Sequence, residues 1–243
     1  MQKSRDTILI VLAFFAIYVI WGSTYLLNKI AVSEISPLYL ASIRFTVAGL
    51  LIFFTAKLLG HSLAINKRQL INSIIAGFLF LTYGNGVFVW ALKYVDSGFA
   101  ALEASTQPLI ILLLMRIIDG KKIKLMSVIG VIFGVIGIYL LVSQKGITTS
   151  KESVFSIIMI FTCVVSWSYG SIFVAKAQLP SKYLISTGYQ MVSGGILLLV
   201  FSALIGEEWL SPTKWNSSTQ ISMLLLIIFG GIVAFTAFNY LLK

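Results

Sequence analysis

The chain is short of the residues that catalysis and metal binding usually need. It has one cysteine, Cys163, and one histidine, His61, and its eight acidic residues are scattered. A single thiol forms no internal disulfide, and Cys163 lies in an apolar run, where it reads as a small packed side chain. His61 sits in a connecting loop between Lys57 and Lys67. No His/Cys/Asp/Glu cluster at ligand spacing and no nucleophile–base pair remain, so no metal and no cofactor are expected. Ser23 and Ser105 have no base near them in sequence, which disfavours an intramembrane enzyme. No phosphate-cradling glycine loop occurs either, so nucleotide-driven work is not indicated.

Charge is scarce as well. Only 11% of residues are charged while 58% are hydrophobic, and the mean hydropathy is +0.98. Soluble domains carry about 25% charged residues, so this is a membrane protein before any motif is read. Eight stretches hold the roughly 20 apolar residues that a spanning helix needs. They are Ile8–Asn28, Leu38–Leu59, Leu70–Leu92, Ser97–Ile118, Leu125–Ser143, Val154–Ala175, Tyr183–Ile205 and Ile221–Leu242. The connections are short and leave no soluble domain. The first span is too long, and too bulky at Trp21 and Tyr25, to read as a cleaved signal peptide.

The net charge of +10 reflects orientation and not a nucleic-acid partner. With the N-terminus in the cytoplasm, 12 basic residues fall inside and 5 outside, with Arg44 left within a span. Glu34, Asp96, Glu152, Glu207 and Glu208 lean outward. This asymmetry predicts a multi-pass protein of the inner (cytoplasmic) membrane, N-terminus in, with membrane lipid as its surroundings.

The sequence also repeats. Trp21-Gly22-Ser23-Thr24-Tyr25 near the end of span 1 is echoed by Trp167-Ser168-Tyr169-Gly170-Ser171 in span 6. Each is followed by a lysine (Lys29, Lys176), a loop, and a Tyr-Leu pair opening the next span (Tyr39-Leu40, Tyr183-Leu184). Those spans carry Gly49 and Gly194-Gly195, and spans 3 and 8 end alike at Lys93 and Lys243. Spans 1–3 therefore match spans 6–8, and an odd repeat of five inverts one copy relative to the other. The expected architecture is an all-α polytopic helical bundle of two inverted five-helix repeats, with eight of ten helices present. The first repeat covers 1–143, a polar loop covers 144–153, and the second repeat covers 154–243. The partners of spans 4 and 5 would lie further on, giving a product of roughly 290–300 residues with two more spans of about 20 residues each.

These features resemble the EamA-type proteins of the drug/metabolite transporter superfamily. The resemblance rests on Trp21-Gly22-Ser23, the Tyr39/Arg44/Phe45 span and Ala91-Leu92-Lys93-Tyr94 leading into Ser97-Gly98-Phe99-Ala100-Ala101. It continues through Pro108, Asp119 and Gly130/Gly134/Gly137. It implies ten helices, cytoplasmic termini and export or exchange of small metabolites. Asp119 stands where the family usually carries Glu, and Glu103 is not a general family feature.

Candidate site residues are the polar groups out of place in apolar spans. A charge in mid-membrane costs about 2.5–3.5 kcal/mol or more, so it usually faces a partner or a water-filled cavity. Arg44 and Glu103 each fall roughly 10 Å below the outer surface at 1.5 Å per residue, and their equal depth and opposite sign suggest an ion pair. Together or singly they could bind a charged or zwitterionic solute, and Glu103 could take up a proton. Pro108 should loosen the helix around Ala104, just where Glu103, Ser105, Thr106 and Gln107 lie. Glu103 and Gln107 share a face. In span 3, Tyr83 and Trp90 share another, while Asn85 between two glycines points elsewhere. Trp167 and Tyr169 lie too deep in span 6 for an interfacial belt. Tyr183, Thr187 and Gln190 form a polar stripe in span 7. The expected substrate-binding set is thus Arg44, Tyr83, Asn85, Trp90, Glu103, Gln107, Trp167, Tyr169 and Gln190. Gly130-x-x-x-Gly134 should permit a close helix crossing inside the bundle, with a homodimer seam less favoured. Trp209 and Trp215 read as interface anchors.

A secondary transporter of a small organic metabolite (amino acid-like, amine or drug-like), working by alternating access, fits this pattern best. The alternatives are a channel, which would want polar rings along its length, and a non-transporting membrane scaffold, which would not need Glu103.

Overall fold

The computed structural model describes the backbone of residues 2–122, 125–144 and 151–242, and the side chains from residue 8 onward in those ranges except 131, 135 and 137–144. Eight helices account for nearly all of it. They are α1 (Ile8–Val32), α2 (Pro37–Leu58), α3 (Lys67–Ala91), α4 (Ser97–Asp119), α5 (Leu125–Gln144), α6 (Lys151–Lys176), α7 (Tyr183–Leu204) and α8 (Ser217–Leu241). Seven of them, α1–α4 and α6–α8, are by length and composition able to cross a membrane, and α5 is a 20-residue apolar helix. The protein is therefore an all-α polytopic membrane protein. The predicted spans and the helices agree in number and place, because an unbroken apolar run in lipid can satisfy its backbone only as a helix. Gly137, the joining loop beyond Gln144 and Lys243 lie outside the described residues or side chains.

Leucines, isoleucines and phenylalanines cover the outside of the bundle. Ile8, Val11, Phe15, Phe54, Phe133, Ile196 and Leu224 are all exposed, as a bilayer-facing surface requires. Inside, two buried clusters form. One gathers Ala31, Ile35, Leu40, Phe88, Leu92, Ile160, Cys163 and Trp215. The other gathers Phe45, Ala48, Ile52, Phe80, Leu81, Met191, Leu198 and Phe235.

Helices α2 and α7 run against each other along most of their length. A Cβ built on Gly195 would stand 2.3 Å from Thr46 Oγ1 and 2.7 Å from Thr46 N, and one on Gly49 would stand 2.9 Å from Val192 N. Only glycine lets these backbones approach so closely, the way small residues hold membrane helices together where burial of apolar surface gives no drive. Gly49 of α2 and Gly195 of α7 thus sit at the closest approach of the two helices. By contrast, a Cβ on Gly130 would meet nothing within 4 Å and one on Gly134 only Leu109 at 3.4 Å. Among the described residues the close crossing expected at Gly130-x-x-x-Gly134 does not form, since none of them brings backbone within 4 Å of either position.

Two helices widen. Phe78–Val87 in α3 and Leu226–Phe235 in α8 are ten-residue π-helical segments, and α1 has a shorter one at Ile17–Trp21. Such turns are rare and often mark functional sites. Helix α4 breaks as Pro108 predicts: it runs Ser97–Ala104, turns at Ser105 and Thr106, and resumes at Gln107. The Ser105 and Thr106 hydroxyls donate to Leu102 O (2.6 Å) and Glu103 O (2.7 Å), closing the turn.

The ends of the bundle are tied differently. At one end Glu207, beyond α7, accepts from the backbone N–H groups of Leu38 (3.1 Å) and Tyr39 (2.8 Å) at the start of α2 and from Ser202 Oγ (2.7 Å). Trp209 stacks on Tyr39 at 5.6 Å and donates to Ser202. Trp215, expected as an interface anchor, is instead buried, with its indole donating to Leu210 O at 2.9 Å. At the other end Lys176 of α6 pairs with Asp119 of α4.

Candidate functional site

Between the two buried clusters lies a cavity of about 90 Å³, lined from α1, α2, α3, α4, α6 and α8. A water needs roughly 10–15 Å³ by the same measure, so the space holds several waters or a small solute part. Its walls are mostly aromatic and apolar: Trp21, Tyr25, Phe45, Leu81, Phe88, Val164, Trp167 and Phe235. Trp21 and Trp167 meet edge to face with centroids 5.6 Å apart. Phe80 and Phe238 pack behind Trp167 at 5.0 and 5.9 Å.

The polar groups in this wall are few. Arg44 is 3% exposed. Its Nη1 donates to Asn28 Oδ1 at 3.3 Å, and its guanidinium lies 4.7 Å from the centre of the Phe45 ring. Asn28 is held in turn by its own donation to Thr24 O at 2.8 Å. Gly230 in the π segment of α8 makes room for Arg44, since a Cβ there would stand 3.2 Å from Nη2. Arg44 Nε, Asn85 Oδ1 and Trp167 Nε1 are all buried without a hydrogen-bond partner in the protein. Buried polar atoms are nearly always satisfied by protein or by water, so these three leave hydrogen-bonding capacity in the cavity wall for a water or a solute.

The Arg44–Glu103 ion pair expected from equal depth does not form. No carboxylate of a described residue lies within 4 Å of Arg44, since among the described residues the ion pair is Lys176–Asp119. Glu103 Oε2 is buried and also lacks a hydrogen-bond partner. Equal depth fixes height in the membrane but not direction around the bundle. Arg44 turns toward Asn28 of α1, whereas Glu103 sits on α4, which packs against α6. Glu103 is next in sequence to Ala104 and four before Gln107, both of which line the cavity.

The other expected residues divide. Asn85, Gln107 and Trp167 line the cavity with Arg44. Tyr83 does not: its hydroxyl donates to Thr162 Oγ1 of α6 at 3.0 Å. Trp90 packs with Tyr94 (5.2 Å) and Phe155 (5.9 Å) outside the lining. Tyr169 is 44% exposed on the outer face of α6. Gln190 is buried in α7 and donates to Ser186 Oγ at 3.0 Å. Tyr83 and Trp90 do share the face of α3 that Asn85 avoids, and it is the Asn85 face that looks inward. Sequence reasoning missed Thr24, Asn28, Cys163 and Gly230. A signal existed for two of them: Trp21, Thr24, Tyr25 and Asn28 follow the i, i+3, i+4, i+7 spacing of one helix face.

A polytopic helical bundle enclosing a small aromatic cavity with a buried cation in its wall is compatible with a membrane transporter. The comparisons agree with that class. The family model of the EamA-like transporters matches residues 8–143 and 154–243, and the chain belongs to that family. It is 33% identical over 232 residues to the uncharacterised inner membrane transporter YedA of Escherichia coli K12, covering 95% of this chain and 73% of that protein. An uncharacterised transporter of Bacillus subtilis, YoaV, is 22% identical over 85% of this chain and 72% of its own. A WAT1-related chloroplastic protein of Arabidopsis thaliana is 25% identical over 90% of this chain and 54% of its own. A crystal structure matches in fold with a TM-score of 0.74 at 20% identity, over 98% of this chain and 79% of that one.

Proposed function

We propose that the protein is a secondary transporter that moves a small organic metabolite outward across the inner membrane, by alternating access of two inverted repeats around the central cavity. The observation that carries this reading is the composition of the cavity wall. It takes Trp21 from the first half and its sequence counterpart Trp167 from the second, and it takes π segments from both α3 and α8. Rocking one half against the other changes which end of such a wall is open, and π segments have backbone slack to yield. The end held by Glu207, Tyr39 and Trp209 is then the outer end, consistent with the excess of lysine and arginine on the opposite loops and an N-terminus in the cytoplasm. The substrate-contacting set under this reading is Arg44, Asn85, Gln107 and Trp167. Tyr83, Trp90, Tyr169 and Gln190 fall outside this set.

The test is counterflow in proteoliposomes. Vesicles preloaded with pools of unlabelled amino acids, amines, carboxylates or nucleosides are diluted into trace labelled solute of the same class. At least one class accumulates transiently above protein-free vesicles if the reading holds. No accumulation from any pool contradicts it.

A further inference from the structure

We propose that the cavity selects an organic monoanion, a carboxylate-bearing solute with an apolar or aromatic body, and that Arg44 is its receptor. This deepens, and rests on, the reading of the cavity as the solute site. Arg44 is a guanidinium buried within the spanning part of α2, with the neutral amide of Asn28 as its hydrogen-bond partner and an unpartnered Nε. Holding such a charge in a membrane protein is costly, and the cost is usually offset by a counter-charge. Among the described residues no carboxylate, Glu103 included, lies within ion-pair distance of it. The missing negative charge belongs to the ligand.

The surroundings specify more than sign. Asn28 and the face of Phe45 hold the guanidinium in one orientation, so little rotamer freedom remains to be lost when an anion binds. A planar fork of N–H donors matches the two oxygens of a carboxylate, which a single ammonium does not. Trp167 Nε1, a second buried donor without a partner, offers another hydrogen bond to an acceptor in the same cavity. The rest of the wall, Trp21, Phe88 and Phe235 among it, is apolar and suits the body of the solute. Phosphate esters and dianions are disfavoured, because one cation leaves a second negative charge unpaired in an apolar wall.

The test uses three probes that share one body: 3-phenylpropionate (anion), 3-phenylpropan-1-ol (neutral) and phenethylamine (cation). They are titrated by calorimetry into the purified protein in nanodiscs of neutral phosphatidylcholine, so that no anionic headgroup competes. The expected order is propionate first, by at least tenfold over both others. Arg44→Gln brings propionate down to the level of the alcohol. Arg44→Lys keeps part of the preference, since it keeps the charge and loses the fork. If Arg44→Gln fails to fold, the ranking of the three probes on the unaltered protein still decides. The proposal is overturned by amine binding equal to or tighter than propionate, by a folded Arg44→Gln that keeps the preference, or by no binding of any probe at millimolar concentration. Anion binding without counterflow contradicts transport and leaves the site standing, whereas counterflow blind to charge does the opposite.

Discussion

Trp21 of α1 and Trp167 of α6 meet edge to face, with centroids 5.6 Å apart and planes at 87°. Both line the cavity, Trp21 from the Trp21-Gly22-Ser23 motif and Trp167 from the similar Trp167-Ser168-Tyr169 motif. Two residues 146 apart in sequence thus form one aromatic wall drawn from both halves.

Removing that wall should cost function before it costs the fold. Trp167→Phe keeps a ring in contact with Trp21 and Phe80 but removes the indole N–H, and should lose less counterflow than Trp167→Leu. Trp167→Leu should lose it at least tenfold, with melting lowered modestly, because the cavity already leaves one side of the indole free of protein neighbours. Counterflow and tryptophan-fluorescence melting on the same preparations check this. Equal loss in both variants would point to the indole N–H and not the ring.

The fold was largely legible, and the site in part. Spans were readable because lipid leaves a polypeptide only the helix, and the break in α4 because Pro108 has no N–H to give. The facing direction of each polar residue was not. A π segment changes the number of residues per turn, so spacing alone does not say whether Tyr83 or Asn85 points inward. Equal depth put Arg44 and Glu103 at one level but did not bring them within ion-pair distance. Trp215 read as an interface anchor because its neighbours in the loop are polar, yet the loop folds back and buries it.

The α2–α7 seam should tolerate almost nothing at Gly195. A side chain there runs into the backbone nitrogen of Thr46 at 2.7 Å as well as its hydroxyl, and backbone cannot be repacked away. Gly195→Ala should lower stability by about 1–3 kcal/mol, the usual range for overpacking, and Gly195→Val should yield no monodisperse protein by size-exclusion chromatography. Wild-type behaviour of Gly195→Val would mean the helices are further apart than described.

Glu103→Gln should leave counterflow at fixed pH unchanged, because Glu103 stands beside the cavity wall and not in it. It should also raise the melting temperature by about 2–4 °C, as expected for relief of roughly 1 kcal/mol in a chain of this size, since a half-buried carboxyl with one unpartnered oxygen becomes a neutral amide. A flattened pH dependence of uptake in this variant would instead assign Glu103 a transported proton.

Glu207 holds the start of α2 by two backbone hydrogen bonds and Ser202 by a third. Hydrogen bonds to a charged group contribute about 1.5–3 kcal/mol each. Loss of even one of the three is worth at least about 1.4 kcal/mol, so Glu207→Ala should favour opening of that end by at least about tenfold. Cys163 lines the cavity and is 2% exposed, so its rate of reaction with a thiol reagent added from that side reports the change.

The same cysteine gives the most direct test of alternating access. A membrane-impermeant maleimide is applied to right-side-out and to inside-out vesicles, with and without saturating solute from the class that shows counterflow. Alternating access predicts labelling of Cys163 from either face, slowed by bound solute in both. Labelling from one face only, or from neither, contradicts it.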